Sequence, residues 1–227
     1  MGHSLFTDLV LPSLTWQTVF RQMGWLLAVA VVWAQLSPAR WTRRWWWGLG
    51  LGLGMQLPIL SEVTSALALS FQTPSLWSQT LLAAVLWKGL RSPTSGAGDG
   101  APTAAPQLLP VWVWALTALL GWVLLLDTLG WTGAFMYAWG FGPAVPVLVL
   151  GACALALLLA AWGHQTPSPR WVWCLTLAMG LFVLTRAPSG NAWDAISDPW
   201  LWLIANGVCA AQLWRGIQHR FIRPQSP

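Results

Sequence analysis

PAVPVLVLGACALALLLAAW, residues 143–162, runs through twenty positions without a charged side chain. Crossing a hydrocarbon core about 30 Å thick takes about 20 residues of helix, within a range of about 17–25. The stretch therefore reads as a complete transmembrane helix. Composition extends that reading to the whole chain: of 227 residues, 56% are hydrophobic and 7% charged, with mean hydropathy +0.59. Such values belong to integral membrane proteins and exclude a soluble core.

Working outward by the same length rule gives seven spans, at approximately 16–37, 45–66, 74–90, 108–126, 143–162, 170–186 and 199–216. The stretch from Trp45 to Leu90 holds Pro58, Glu62 and Pro74. It is either two spans or one span plus a re-entrant piece, the latter giving six in all. The expected fold is thus an all-α integral membrane protein, a polytopic bundle of about seven transmembrane helices. SPTSGAGDGAPTAAP, residues 92–106, is too poor in apolar area to order itself. It marks a flexible cytoplasmic linker over 92–107 between a first membrane unit, 1–91, and a second, 108–227. No internal repeat relates the two units. The first apolar segment follows no basic n-region and precedes no cleavage site, so it is expected to be a retained span.

Orientation follows from charge. Arg40, Arg43, Arg44, Lys88, Arg91, Arg170, Arg215, Arg220 and Arg223 fall in alternate connections, nine of the eleven basic residues. By the positive-inside rule that side is cytoplasmic. Asp8, Glu62, Asp127, Asp194 and Asp198, five of six acids, fall at the other side. The sorting predicts an outside N-terminus, a cytoplasmic C-terminus and a plasma-membrane location, the inner membrane in a bacterium. The chain holds 21 tryptophans but one tyrosine, and indoles suit the headgroup boundary. Trp41, Trp45, Trp46 and Trp47 are expected in an inner aromatic belt, and Trp77, Trp131, Trp193, Trp200 and Trp202 in an outer one.

GLGLGLG, residues 48–54, sets Gly48 with Gly52 and Gly50 with Gly54 as overlapping small-xxx-small pairs. Missing side chains let a second backbone approach in lipid. The expected partner is a neighbouring helix of the bundle, another membrane protein or a second copy of the chain. A pI near 10.1 does not point to nucleic acid, because the basic residues lie between spans instead of forming one basic face. The lipid bilayer is the nearest partner.

Chemistry-bearing patterns are sparse. The histidines, His3, His164 and His219, lie outside span interiors, so no metal or haem site is expected. No phosphate-cradling glycine loop, Cys-x-x-Cys or Gly-x-Ser-x-Gly occurs, and no cofactor is expected. Cys153, Cys174 and Cys209 fall within spans as small packing residues. A retinal Schiff base is excluded, since the only lysine, Lys88, ends the third span.

Depth gives the most informative constellation. Counting 1.5 Å per residue from the cytoplasmic boundaries puts Arg21, Glu62, Asp127 and Arg186 at about 24–26 Å, on four spans. Ionisable groups so deep are costly, and they pair, line a cavity or snorkel. Arg21 with Glu62 is the expected pair. In GNAWDAISDPWLWL, residues 190–203, Asp198 before Pro199 reads as an N-cap of the last span. Asn191 and Asp194 have capping-box spacing for a short helix over 192–197. Asp194, Asp127 and Glu62 are the catalytic candidates, should the protein be an enzyme.

The expected function is a non-catalytic subunit, scaffold or assembly factor of a membrane complex. One alternative is a small-solute or lipid transporter using the charged layer near the outer face, with Pro58, Pro143 and Pro146 interrupting helices beside it. The other is an outer-face membrane enzyme acting on a lipid-linked substrate.

Overall fold

The computed structural model describes residues 11–38, 41, 43–91, 109–162 and 170–221. The expected linker over 92–107 lies outside the described residues, as do Asp8, His3 and His164. Every described element is helical: α1 Leu14–Leu36, α2 Arg44–Gly54, α3 Pro58–Phe71, α4 Leu76–Arg91, α5 Val111–Thr128, α6 Met136–Trp139, α7 Ala144–Trp162, α8 Arg170–Thr185, α9 Ala192–Ile196 and α10 Pro199–Phe221. Three of these, α1, α5 and α7, are long and apolar enough to cross a membrane. This is a membrane-embedded helical protein. Exposed leucines at 80% (Leu14), 88% (Leu69) and 82% (Leu184) lie along outer helix faces, where lipid rather than water would meet them.

The span expected over 45–66 is two helices, not one. Pro58 has no N–H to offer the Gly54 carbonyl, and its ring crowds the preceding turn. Leu57, just before it, is extended at φ −64, ψ 143, the conformation proline imposes on its predecessor. The Thr64 hydroxyl donates to the freed Met55 carbonyl at 3.2 Å. Pro143 and Pro146 interrupt nothing: α7 begins at Ala144 and Pro146 falls within its first turn, where a missing N–H is harmless.

Two apolar cores organise the packing. One joins α1, α4, α5, α7, α8 and α10 through Phe20, Leu76, Leu81, Val113, Val145, Met179, Phe182 and Leu201. The other joins α1, α2 and α4 through Leu26, Ala30, Val31, Ala34, Trp45 and Leu86. Glycine decides the second. A Cβ at Gly48 would stand 2.3 Å from the Ala30 carbonyl oxygen, and one at Gly52 2.6 Å from that of Leu26. Gly48 and Gly52 thus bring α2 onto the Ala30 and Ala34 face of antiparallel α1, while a Cβ at Gly50 or Gly54 would meet nothing. The expected glycine face is split: one pair packs inside the chain and the other lies open.

Glycine also makes sockets for indoles. Side-chain atoms at Gly89 of α4 would fall 2.1 Å from the Trp45 ring, and at Gly121 of α5 2.2 Å from the Trp202 ring. These rings key α2 to α4 and α10 to α5. Trp77, expected in a boundary belt, is instead 4% exposed inside the first core. The indole N–H groups of Trp25, Trp77 and Trp202 are buried without hydrogen-bond partners, so these three rings serve as apolar mass.

Candidate functional site

The polar residues gather at the end of the bundle where α4, α7 and α10 begin. Asp198 is 4% exposed there and is the expected N-cap: one carboxylate oxygen accepts the Leu201 N–H at 2.9 Å. Its other oxygen accepts the Ser75 N–H at 2.9 Å and the Ser78 hydroxyl. The Ser75 hydroxyl in turn accepts the Ser78 N–H at 3.1 Å, capping α4. One buried carboxylate therefore serves the starts of two helices 123 residues apart.

Asn191 caps α9 as expected, accepting the Trp193 N–H at 2.9 Å. The reciprocal half of the capping box is different. Asp194 does not reach back to the Asn191 N–H, which donates instead to the Ser189 hydroxyl at 3.2 Å. Ser189 passes its own proton toward Asp194. Aspartate is one methylene shorter than the usual glutamate, and serine fills the gap. Asp194 is then free to face Tyr137, whose hydroxyl lies 3.1 and 2.9 Å from its two oxygens.

Tyr137 belongs to the four-residue helix α6 in the α5–α7 connection, and Asp127 holds its backbone. That carboxylate accepts the Tyr137 N–H at 2.8 Å and the Thr132 hydroxyl. The α9 segment clasps the same connection. Asn191 donates to the Tyr137 carbonyl at 3.0 Å, Trp193 Nε1 to the Met136 carbonyl at 2.8 Å, and the Ala192 N–H to the Gly140 carbonyl at 2.8 Å. A Cβ at Gly140 would fall 1.8 Å from Asn191 Oδ1, so only glycine admits the clasp. Burial, followed by the Asp194 charge and its hydrogen bond, raises the Tyr137 hydroxyl above its ordinary pKa.

The four-residue charged layer is divided among separate tasks. Arg21 Nε is buried without a hydrogen-bond partner, and Glu62 on α3 is exposed. Among the described residues no ion pair or hydrogen bond joins any two of Arg21, Glu62, Asp127 and Arg186. Arg186 instead ends α8: its backbone takes the left-handed conformation, φ 58, and its guanidinium carbon lies 5.5 Å from the Phe182 ring centre.

The polar contacts at this end form a clasp between two connections. Each hydroxyl touching Asp194 and Asp127 donates to it. Among the described residues no three His, Cys, Asp or Glu side chains converge as metal ligands. Ser75, Ser78, Tyr137 and Ser189 escaped the sequence reading. The lone tyrosine in a chain of 21 tryptophans was the available signal, because an indole has no oxygen to present.

Comparison with protein-family models, with curated proteins and with solved structures finds no match to this chain.

Proposed function

We propose that the protein is a non-catalytic subunit, scaffold or assembly factor of a membrane complex. In this reading α1, the broken α2–α3 pair, α4, α5, α7, α8 and α10 make seven spans, with the N-terminus outside and the basic connections in the cytoplasm. The membrane is the plasma membrane, the inner one in a bacterium. The observation that carries the proposal is the engagement of the acids at the α4–α10 end. Asp127, Asp194 and Asp198 all hold backbone segments or the hydroxyls that hold them. Such a clasp favours a rigid bundle that presents its outer faces to a partner.

Solubilisation in a mild detergent followed by affinity purification and mass measurement tests it. A stable hetero-complex or a defined homo-oligomer is expected. A monodisperse monomer with no co-purifying partner overturns the proposal. If Asp194→Asn, Asp127→Asn or Glu62→Gln instead abolishes a cellular phenotype while assembly and stability persist, the enzyme reading replaces it.

One feature favours the transporter alternative: the helix break at Met55–Leu57. Gln56 Nε2 there donates to the Gln22 carbonyl at 3.3 Å, beside Arg21. Discontinuous helices with freed backbone groups line substrate sites in many transporters. Solute flux into proteoliposomes that is lost in Gln56→Ala would support this reading over the scaffold.

A further inference from the structure

At the opposite end, where α1 finishes and α2 begins, an apolar groove opens to the surroundings. Trp33, Trp41, Trp47, Gly50 and Leu51 line a volume of about 750 Å³, within the range of roughly 300–1,000 Å³ usual for ligand sites. The three indoles are 43%, 46% and 66% exposed, so each offers a face to an occupant. The lining includes one of the two open glycines, Gly50. A Cβ at Gly50 or at Gly54, one turn further along α2, would meet nothing within 4 Å.

Charge identifies the occupant. The helix opens with Arg43 in the N-cap position, making no side-chain cap, followed by Arg44. The Arg44 N–H donates to the Trp41 carbonyl at 3.1 Å, and the helix start adds a partial positive charge to these two guanidinium groups. Because the Trp45 ring seats on Gly89, the last turn of α4 with Lys88 and Arg91 lies at the same end. Helices α1, α2 and α4 contain no acid. The occupant must combine a long apolar chain with a negative head at the level of an aromatic belt.

We propose that this groove binds an anionic phospholipid, with an acyl chain passing Gly50 in the direction of Gly54 and the phosphate held by Arg43 and Arg44 at the start of α2. A zwitterionic lipid offers the same chain, but its ammonium group meets like charge. A second copy docked through the same face would bring Arg43 and Arg44 against themselves, since a two-fold contact sets one patch on its own image. Basic pockets between spans on the cytoplasmic side are suited to anionic headgroups. The inference is independent of whether the protein is a scaffold or a transporter.

The test uses the full-length protein, delipidated in detergent, with bound lipid counted by native mass spectrometry and stability followed by thermal unfolding. Phosphatidylglycerol is expected to be retained and to raise Tm. Phosphatidylcholine of the same chain length and inorganic phosphate are each expected to do so far less. The Arg43→Gln, Arg44→Gln double variant should weaken phosphatidylglycerol binding about tenfold or more. Gly50→Leu should fill the groove and weaken it as well, with the lipid-free Tm unchanged. Equal retention of the two lipids, or unchanged phosphatidylglycerol binding in both variants, overturns the proposal. So does a shift from oligomer to monomer in Gly50→Leu with lipid retention intact, which assigns the groove to a second copy. Stabilisation by inorganic phosphate equal to that by lipid overturns the role of the acyl chain.

Discussion

Tyr137 and Asp194, 57 residues apart, meet through a hydroxyl placed 3.1 and 2.9 Å from the two carboxylate oxygens. The contact closes the α5–α7 connection onto the α8–α10 connection. Asp127 secures the same tyrosine from its backbone side. Removing the hydroxyl in Tyr137→Phe leaves the ring but takes one donor from a half-buried carboxylate. The expected loss is about 1–3 kcal/mol, measured by reversible unfolding in mixed micelles.

The same pair sets a pH dependence. The folded-state pKa of Tyr137 lies above its unfolded value of 10.0 because burial and the Asp194 charge oppose the phenolate. The contribution is therefore fully present below pH 10.0 and is lost as pH rises beyond it, where the unfolded chain ionises first. Tm should fall above that pH in the wild type and fall less in Tyr137→Phe. As the only tyrosine in the chain, Tyr137 can be followed by phenolate absorbance, which should rise only at or near unfolding.

Asp198→Ala removes one acceptor for the Leu201 N–H and another shared by the Ser75 N–H and the Ser78 hydroxyl. The expected cost is about 3 kcal/mol or more, since charge-assisted bonds contribute about 1.5–3 kcal/mol each and buried orphans add to it. Asp198→Asn keeps one carbonyl oxygen, serves one helix start, and should fall between wild type and alanine. Equal stability of all three proteins by chemical denaturation would contradict the shared cap.

The glycine pairs on α2 should respond oppositely to the same change. Gly52→Leu forces a side chain into the Leu26 carbonyl oxygen, 2.6 Å from the new Cβ, at a cost of at least about 1–3 kcal/mol. Gly54→Leu meets open space and should leave Tm unchanged or raise it, as glycine is a poor helix former. Cysteine cross-linking between α1 and α2 gives an independent readout of the α1–α2 distance.

Arg21 and Glu62 are not paired, so a double-mutant cycle of Arg21→Gln and Glu62→Gln should give a coupling energy under about 0.5 kcal/mol. A coupling above about 1 kcal/mol would mean that the two meet in the membrane.

Long apolar runs are legible because lipid imposes length, which is why α1, α5 and α7 appear close to their expected bounds. Asp198–Pro199 was legible for a local reason: the cap lies within three residues of its donor. Neighbour relations were not. The spacing of GLGLGLG gives two equivalent faces, and only the register of α1 decides that Gly48 and Gly52 meet Ala30. An indole near a span end looks the same in sequence whether it stays exposed, as Trp131 does, or enters a core, as Trp77 does. Equal depth likewise placed four charges in a layer, but depth does not encode rotation about each helix axis, and among the described residues no ion pair joins any two of them.

The shared Asp198 cap also bears on biogenesis. The chain is made from its N-terminus, so α4 is synthesised long before its acceptor at residue 198. Until the final hairpin arrives, the Ser75 N–H and the Ser78 hydroxyl at the start of α4 lack that acceptor. A chain truncated before residue 198 would carry that unfinished helix end.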